Sequence, residues 1–202
     1  MAEENVEEIR VAGTLKVYSA PDTTDLPDPL EFPDAATYDA DNGLDAAYEL
    51  VGFTSPDGSQ FSDSKTTTKI MVHQRFRGAR TIVTEVASSA QFVMRQWNGA
   101  SVTLGFGGGE VTSPTAGVYV YEPPAPEDLQ HRIIVMDSID GDVIQRFIIK
   151  RGMVTGDTTV AFARTEASDL PVTIEADETS STSTAWVLHT NDPAFADYVT
   201  GS

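Results

Sequence analysis

The sequence predicts a mainly β, antiparallel fold, a sandwich or barrel. Three observations predict it. Alternating apolar and polar residues recur in short stretches between Gly13 and Thr190, the period that sends successive side chains to opposite faces of a strand. Turn formers separate the stretches, Pro56-Asp57-Gly58 and Asp140-Gly141 above all. A chain of 202 residues with 40% apolar content suits one domain with a real core.

Taken in order, residues 1–10 read as a polar N-terminal arm with four glutamates and no signal peptide. Gly13–Ser19 reads as a strand, with Leu15 and Val17 alternating with Lys16 and Tyr18. Ala20–Asp41 carries Pro21, Pro27, Pro29 and Pro33, which remove donors and restrict their predecessors, so a long loop follows. Asn42 offers a helix cap, and Leu44, Ala47, Tyr48 and Val51 stand at helical spacing, which predicts a short helix over 43–50. Thr66–Gln74, Arg80–Ala87 and Ala90–Trp97 are strands, with Ile82 and Val86 expected on one face of the second. Asn98–Phe106 fits either a capped helix or a strand, and Gly107–Gly109 breaks the chain. Gly117–Tyr121, Arg132–Ser138, Asp142–Arg151, Thr158–Arg164, Val172–Ala176 and Ala185–Thr190 complete the strands, with a Ser/Thr-rich loop over 177–184. The organisation is an arm over 1–10, a β domain over 11–190 that includes a long acidic loop at 20–64, and a tail over 191–202.

Charge sharpens this division. The net charge is −18, with 31 acidic and 13 basic side chains. Residues 17–64 hold 11 acids and no Lys or Arg; residues 65–164 hold 11 bases against 9 acids; residues 165–202 hold 7 acids and again no Lys or Arg. A near-neutral core with acidic excursions results. The acidity argues against general nucleic-acid binding and against docking on an anionic membrane. The longest aliphatic run, Ile133–Met136, is far short of the roughly 20 residues of a membrane-spanning helix. The absence of Cys excludes disulfides, thiolate metal sites and Cys nucleophiles.

No catalytic pattern stands out. His73, His131 and His189 lie far apart in sequence, and neither a zinc-binding helix motif nor a nucleophile elbow is present. Gly105-Phe106-Gly107-Gly108-Gly109 lacks the Lys-Ser/Thr of a phosphate loop. Asp39-Ala40-Asp41-Asn42-Gly43 begins like a calcium loop, but Leu44 and Leu50 replace its Gly and Glu, so a cap is the better account. Asp137, Asp140 and Asp142 surround a hairpin turn, which accounts for Asp140 without a carboxylate-based active site.

Several stretches resemble the major tail tube proteins of long-tailed, non-contractile bacteriophages, particularly those of actinobacteria. They are Gly13-Thr14-Leu15-Lys16-Val17-Tyr18 with Ala20-Pro21; Leu50-Val51-Gly52-Phe53 with Pro56-Asp57-Gly58; Ile70–Gln74 with Arg80-Thr81 and Phe92–Trp97; and Arg132–Asp137, Asp142–Gly152 and Pro171–Ala176. Their order and spacing, over most of residues 11–190, carry the resemblance. It implies a tail-tube-type antiparallel β-sandwich or half-barrel with a flanking short helix near Asn98, a long inter-strand loop and extended termini. It implies stacked hexameric rings forming a hollow tube that encloses the tape-measure protein and conducts DNA during ejection. The partners would be further copies of the chain, the tape-measure protein, and the tail terminator and distal tail proteins. DNA would pass without specific binding, with no cofactor, metal, membrane or enzymatic activity. The protein would be made in the host cytoplasm and reside in the virion tail. The alternatives are another phage structural β-module, such as a capsid decoration or tail-fibre protein, and an enzyme built on Asp137 or Asp142.

Given a lumen, strand alternation nominates Thr81, Glu85, Gln91, Asp137 and Gln145 as facing it. The acidic segments would face Lys65, Lys69, Arg75, Arg77 or Arg80 across subunit contacts. The loop at 20–64 and the C-terminal segment are expected to order on meeting a neighbouring subunit.

Overall fold

The computed structural model of the protein describes residues 6–56, 59–73, 75–162, 164–165, 167–178 and 184–199. The turn expected at Pro56-Asp57-Gly58 and most of the Ser/Thr-rich loop at 177–184 fall outside them.

One antiparallel sheet organises the chain. Its strands are β1 (Thr14–Pro21), β2 (Glu49–Leu50), β3 (Gln60–Val72), β4 (Arg75–Met94), β7 (Arg132–Asp140), β8 (Val143–Val154), β9 (Leu170–Ala176) and β10 (Trp186–Thr190). The order is β2-β1-β7-β8-β9-β4-β3, with β10 also paired to β8. A helix, α1 (Gly99–Gly105), and a separate hairpin, β5 (Glu110–Thr115) with β6 (Val118–Glu122), lie between β4 and β7. The mainly β, antiparallel prediction with one flanking helix matches this architecture.

Strand β8 is the pivot. Residues 145–149 pair with β10, and residues 152–154 pair with β9 on the same side. Between these stretches the register against β7 slips, from Ile134↔Ile149 to Arg132↔Gly152. Such a bulge adds twist and bends the sheet. Before the slip, regular alternation sends Ile148 and Ile149 to opposite faces, and both are buried because each face carries a core. A side chain at 152 would meet Ile174 Cγ2 at 2.6 Å, so Gly152 lets β9 approach.

The two faces carry different cores. On one, Val17, Ile134, Met136 and Ile149 pack with Phe92, Met94, Val172, Ile174 and Leu104 of α1. On the other, Tyr18, Val135, Ile144 and Ile148 are covered by Tyr38 and Tyr48, with Phe32 and Leu44 alongside, from the segment between β1 and β2. The long acidic loop therefore carries its own apolar anchors. It packs within one subunit, and the expected ordering on contact with a neighbour is not needed for it.

Several local readings change. The helix expected over 43–50 does not form. The Asn42 side chain accepts from Leu44 N and that of Asp45 from Ala47 N, side-chain turns that compete with helical bonding. Residues 49–50 then join the edge of β1. The strands expected at 80–87 and 90–97 are one 20-residue strand, β4, and the described residues of 158–164 form no strand. Strand β5, absent from the sequence reading, pairs with the expected strand near 117–121. At 98–106 the helix wins over the strand: the Asn98 carboxamide accepts from Ser101 N at 2.7 Å, and Ser101 Oγ accepts from Asn98 N at 2.9 Å. The hairpin signal at Asp140-Gly141 holds, with Gly141 at φ +59° in the turn joining β7 to β8.

Candidate assembly surfaces

Two long excursions leave the sheet. The first is the segment between β1 and β2, whose attachment is polar as well as apolar. Asp137 and Arg146 are opposite each other in the β7–β8 register and both have no exposed surface. The guanidinium grips the carboxylate through Nε to Oδ1 at 2.9 Å and Nη2 to Oδ2 at 2.7 Å, and Nη2 also donates to Asn42 O at 2.7 Å. The Tyr38 hydroxyl donates a short hydrogen bond to Asp137 Oδ2, and the Tyr18 hydroxyl lies 3.3 Å from that of Tyr38. Phe32 stacks on the guanidinium, 5.4 Å from ring centre to Cζ. The loop is thus latched onto the sheet by a buried ion pair that it helps to complete.

The latch shifts the groups within it. Burial, the largest single influence, would lower Arg146, but the hydrogen bonds and charge of Asp137, with Tyr38, together outweigh it and hold the guanidinium above its usual value. Burial and then the Asp137 carboxylate push the Tyr38 hydroxyl far above its usual range, so it stays a donor. Burial pushes Tyr48 up to about 12, and its hydroxyl donates to Asp25 O at 2.8 Å. His189, opposite Arg146 on β10, is lowered by burial and then by Arg146. Its Nδ1 and Arg146 Nη1 are buried without a hydrogen-bond partner among the described residues.

The second excursion is the β3–β4 ribbon. Strand β9 pairs with β4 only over Ser89–Met94, so the β4 residues before Ser89 pair with β3 alone. The base of the ribbon is anchored by Phe61, whose ring lies 5.2 Å from Phe147 and 4.9 Å from Trp186. Asp63 accepts hydrogen bonds from Lys65 Nζ, Ser88 Oγ and Trp186 Nε1 there, and those from Lys65 and Ser88 above all hold it down near 2. Farther out, Ile70, Met71, Val83 and Val86 are 43–60% exposed.

The sequence-nominated residues separate on this frame. Thr66 pairs with Glu85 and Thr67 with Val83, so Thr84 is an extra residue in β4. That bulge puts Thr81 on the opposite face from Glu85 and Gln91, and Ile82 on the opposite face from Val86, because alternation resets at the extra residue. Gln145 is half-buried, on the face shared with Met136 and Phe147. Asp137 offers no exposed surface at all; it is half of the latch rather than part of an open polar face. The five therefore do not share one face. Lys65 and Lys69 share a ribbon face; Arg80 lies on the other, and Arg75 and Arg77 fall at the start of β4. The sequence reading missed Arg146, although a β7–β8 hairpin turning at Gly141 already sets it opposite Asp137.

Among the described residues no group of three or more His, Asp or Glu could hold a metal ion. Asp39 is engaged by Lys16, and Asp41 accepts from Gly43 N. Among those residues, too, no helix is long and apolar enough to cross a membrane.

Among the described residues, then, this is an antiparallel β protein with a long strand at the sheet edge, a projecting two-stranded ribbon and a latched loop. The sequence profile described as phage tail tube protein matches residues 1–198, and the chain belongs to that family. Membership gives it a structural role in the virion tail, by self-assembly into a tube. No curated protein matches the sequence.

Proposed function

We propose that the protein forms hexameric rings that stack into the hollow tube of a long, non-contractile tail, of the kind carried by phages of actinobacteria. The tube encloses the tape-measure protein during assembly, ends at terminator and distal tail proteins, and conducts DNA at ejection. The observation that carries the reading, within the family assignment, is the open sheet. Strand β3 is 13 residues long and, among the described residues, has a partner on one side only, β4. A long unpaired edge is a template for uncontrolled pairing unless something closes it. Ring closure by rotation supplies a neighbour for every edge, and stacking repeats the ring into a filament.

Conduction is then electrostatic. A net charge of −18 repels phosphates, whereas basic patches would hold them by releasing counterions. Glu85 and Gln91, together on one face of β4, are the proposed lumen positions. Negative-stain electron microscopy of the purified protein tests the reading. Hollow tubes of stacked rings are expected; trimers or shell-like knobs would point to a decoration or fibre protein instead.

A further inference from the structure

The core-facing side of the β3–β4 ribbon does not end where the core ends. Phe61 and Ala90 are paired, as are Asp63 and Ser88, and this side continues through Lys65 and Val86, Thr67 and Val83, and Lys69 and Thr81. Beyond Ser88 this side is open among the described residues: Val83 and Val86 are each 57% exposed. The result is an apolar strip flanked by two lysines, with Asp63, at its base, as the one carboxylate among these positions. Lys69 lies along the backbone at Gly78, where an added Cβ would sit 3.2 Å from Lys69 Cβ. The Lys65–Asp63 pair is exposed, and such pairs exchange partners at little cost.

The complementary surface is on the latched loop. Pro27 and Pro33 are buried, and between them the short turn Pro29–Glu31 is pushed outward, fixed by Asp28 accepting from Leu30 N at 2.8 Å. Leu30 is 91% exposed and Leu26 44%. Asp25 and Glu31, which flank them, are exposed, and Asp25 is held at its backbone oxygen by the Tyr48 hydroxyl, which leaves its carboxylate facing outward. A preformed acidic knob with an apolar centre is therefore held rigid by the buried latch beneath it. Preorganisation of this kind lowers the entropic cost of binding.

The geometry points to the knob Asp25–Glu31 of a second copy as the occupant of the ribbon face. Leu30 seats on Val83 and Val86, and Asp25 and Glu31 face Lys65 and Lys69. Charge complementarity selects this occupant. The ribbon face is cationic and apolar, and residues 17–64, which hold the knob, contain no Lys or Arg. Like charges would repel a knob from another knob. This contact rests on the self-assembly reading above and assigns two surfaces within it.

Charge exchange tests it. Lys65→Glu with Lys69→Glu forms one variant, Asp25→Lys with Glu31→Lys a second, and all four substitutions a third. Each is compared with wild type by sedimentation and electron microscopy, with circular dichroism and thermal melting to check folding. Each one-sided reversal is expected to reduce the sedimenting fraction at least tenfold, and the fourfold variant to return it to within threefold of wild type. Less than a threefold loss in either one-sided variant, or a fourfold variant no better than the one-sided ones, overturns the contact. A one-sided variant that fails to fold is replaced by the neutral pair, Lys65→Gln with Lys69→Gln or Asp25→Asn with Glu31→Gln. At least a threefold loss is then required, with the same consequence if it is absent. Tubes indifferent to reversal would leave the tube reading standing and remove this contact. Oligomers other than tubes that obey the exchange would do the opposite.

Discussion

The acidic loop and the β3–β4 ribbon are two long excursions from the sheet, and they are secured in opposite ways. The loop has almost no regular structure, yet Tyr38 and Tyr48 are buried and its backbone reaches a buried ion pair at Asn42 O. The ribbon has an almost continuous ladder from Gln60 to Val72, yet most of its described side chains beyond the base lie in solvent. Regular hydrogen bonding and anchoring are thus separate properties. A ladder satisfies backbone groups, whereas burial of side chains supplies most of the free energy that fixes a segment in place. An isolated two-stranded ribbon is marginal in water, so this one is a surface waiting for cover, while the loop already has it.

The largest way to break this contrast is to remove the guanidinium from the latch. Arg146→Met leaves the Asp137 carboxylate buried and uncompensated, which costs about 3–5 kcal/mol. Chemical denaturation should show that loss, and limited proteolysis should cut within residues 22–48 before it cuts the ribbon. Next comes Tyr38→Phe, which takes one donor from the same carboxylate and leaves the packing in place. A loss of about 2 kcal/mol is expected, as for a hydrogen bond to a charged group, and faster amide exchange in the loop than in β7 would locate it.

A graded effect follows from His189. Its folded value lies below the usual 6.5, so the unfolded chain binds the proton more readily. Its contribution to stability is complete above 6.5 and is lost as pH falls from there through the folded value. Stability measured by urea between pH 7.5 and 5 should decline in wild type, and His189→Gln should flatten that slope. The smallest effect on folding belongs to the ribbon. Val83→Thr with Val86→Thr should change subunit stability by no more than about 0.5 kcal/mol, while weakening assembly in the sedimentation assay. A large loss of subunit stability there would mean that the ribbon is anchored like the loop, and the contrast would fail.

Much of the fold is legible in local signals. The strand at Leu15 and Val17 and the turn at Asp140-Gly141 each act over a few residues and are found in the structure. At Asn98, by contrast, local signals left helix and strand open, and the tail tube resemblance pointed to the helix that forms. The helix expected over 43–50 shows the limit. Its spacing was helical, but Tyr48 is drawn into the second core, and Val51 N donates to Val17 O at 3.0 Å, so tertiary pairing outweighs propensity. The bulge at Thr84 was equally hidden, because one inserted residue leaves no mark in composition yet reverses every position beyond it. Arg146 was half-legible: the hairpin register sets it opposite Asp137, but nothing local says that both would be buried.

By itself the sequence determined a β-rich, acidic chain with a neutral centre, its strands from alternation and its turns from Gly, Asp and Pro. It also carried, in the order of weak motifs, the resemblance to tail tube proteins that the family match bears out. Only the tertiary structure decided which charges are spent inside the subunit and which remain for a partner. Asp137 meets Tyr38 across 99 residues, and a carboxylate that reads as exposed becomes fully buried. The physical reason is range. Turn and cap preferences act between neighbours, whereas burial depends on which distant segment comes to lie on top.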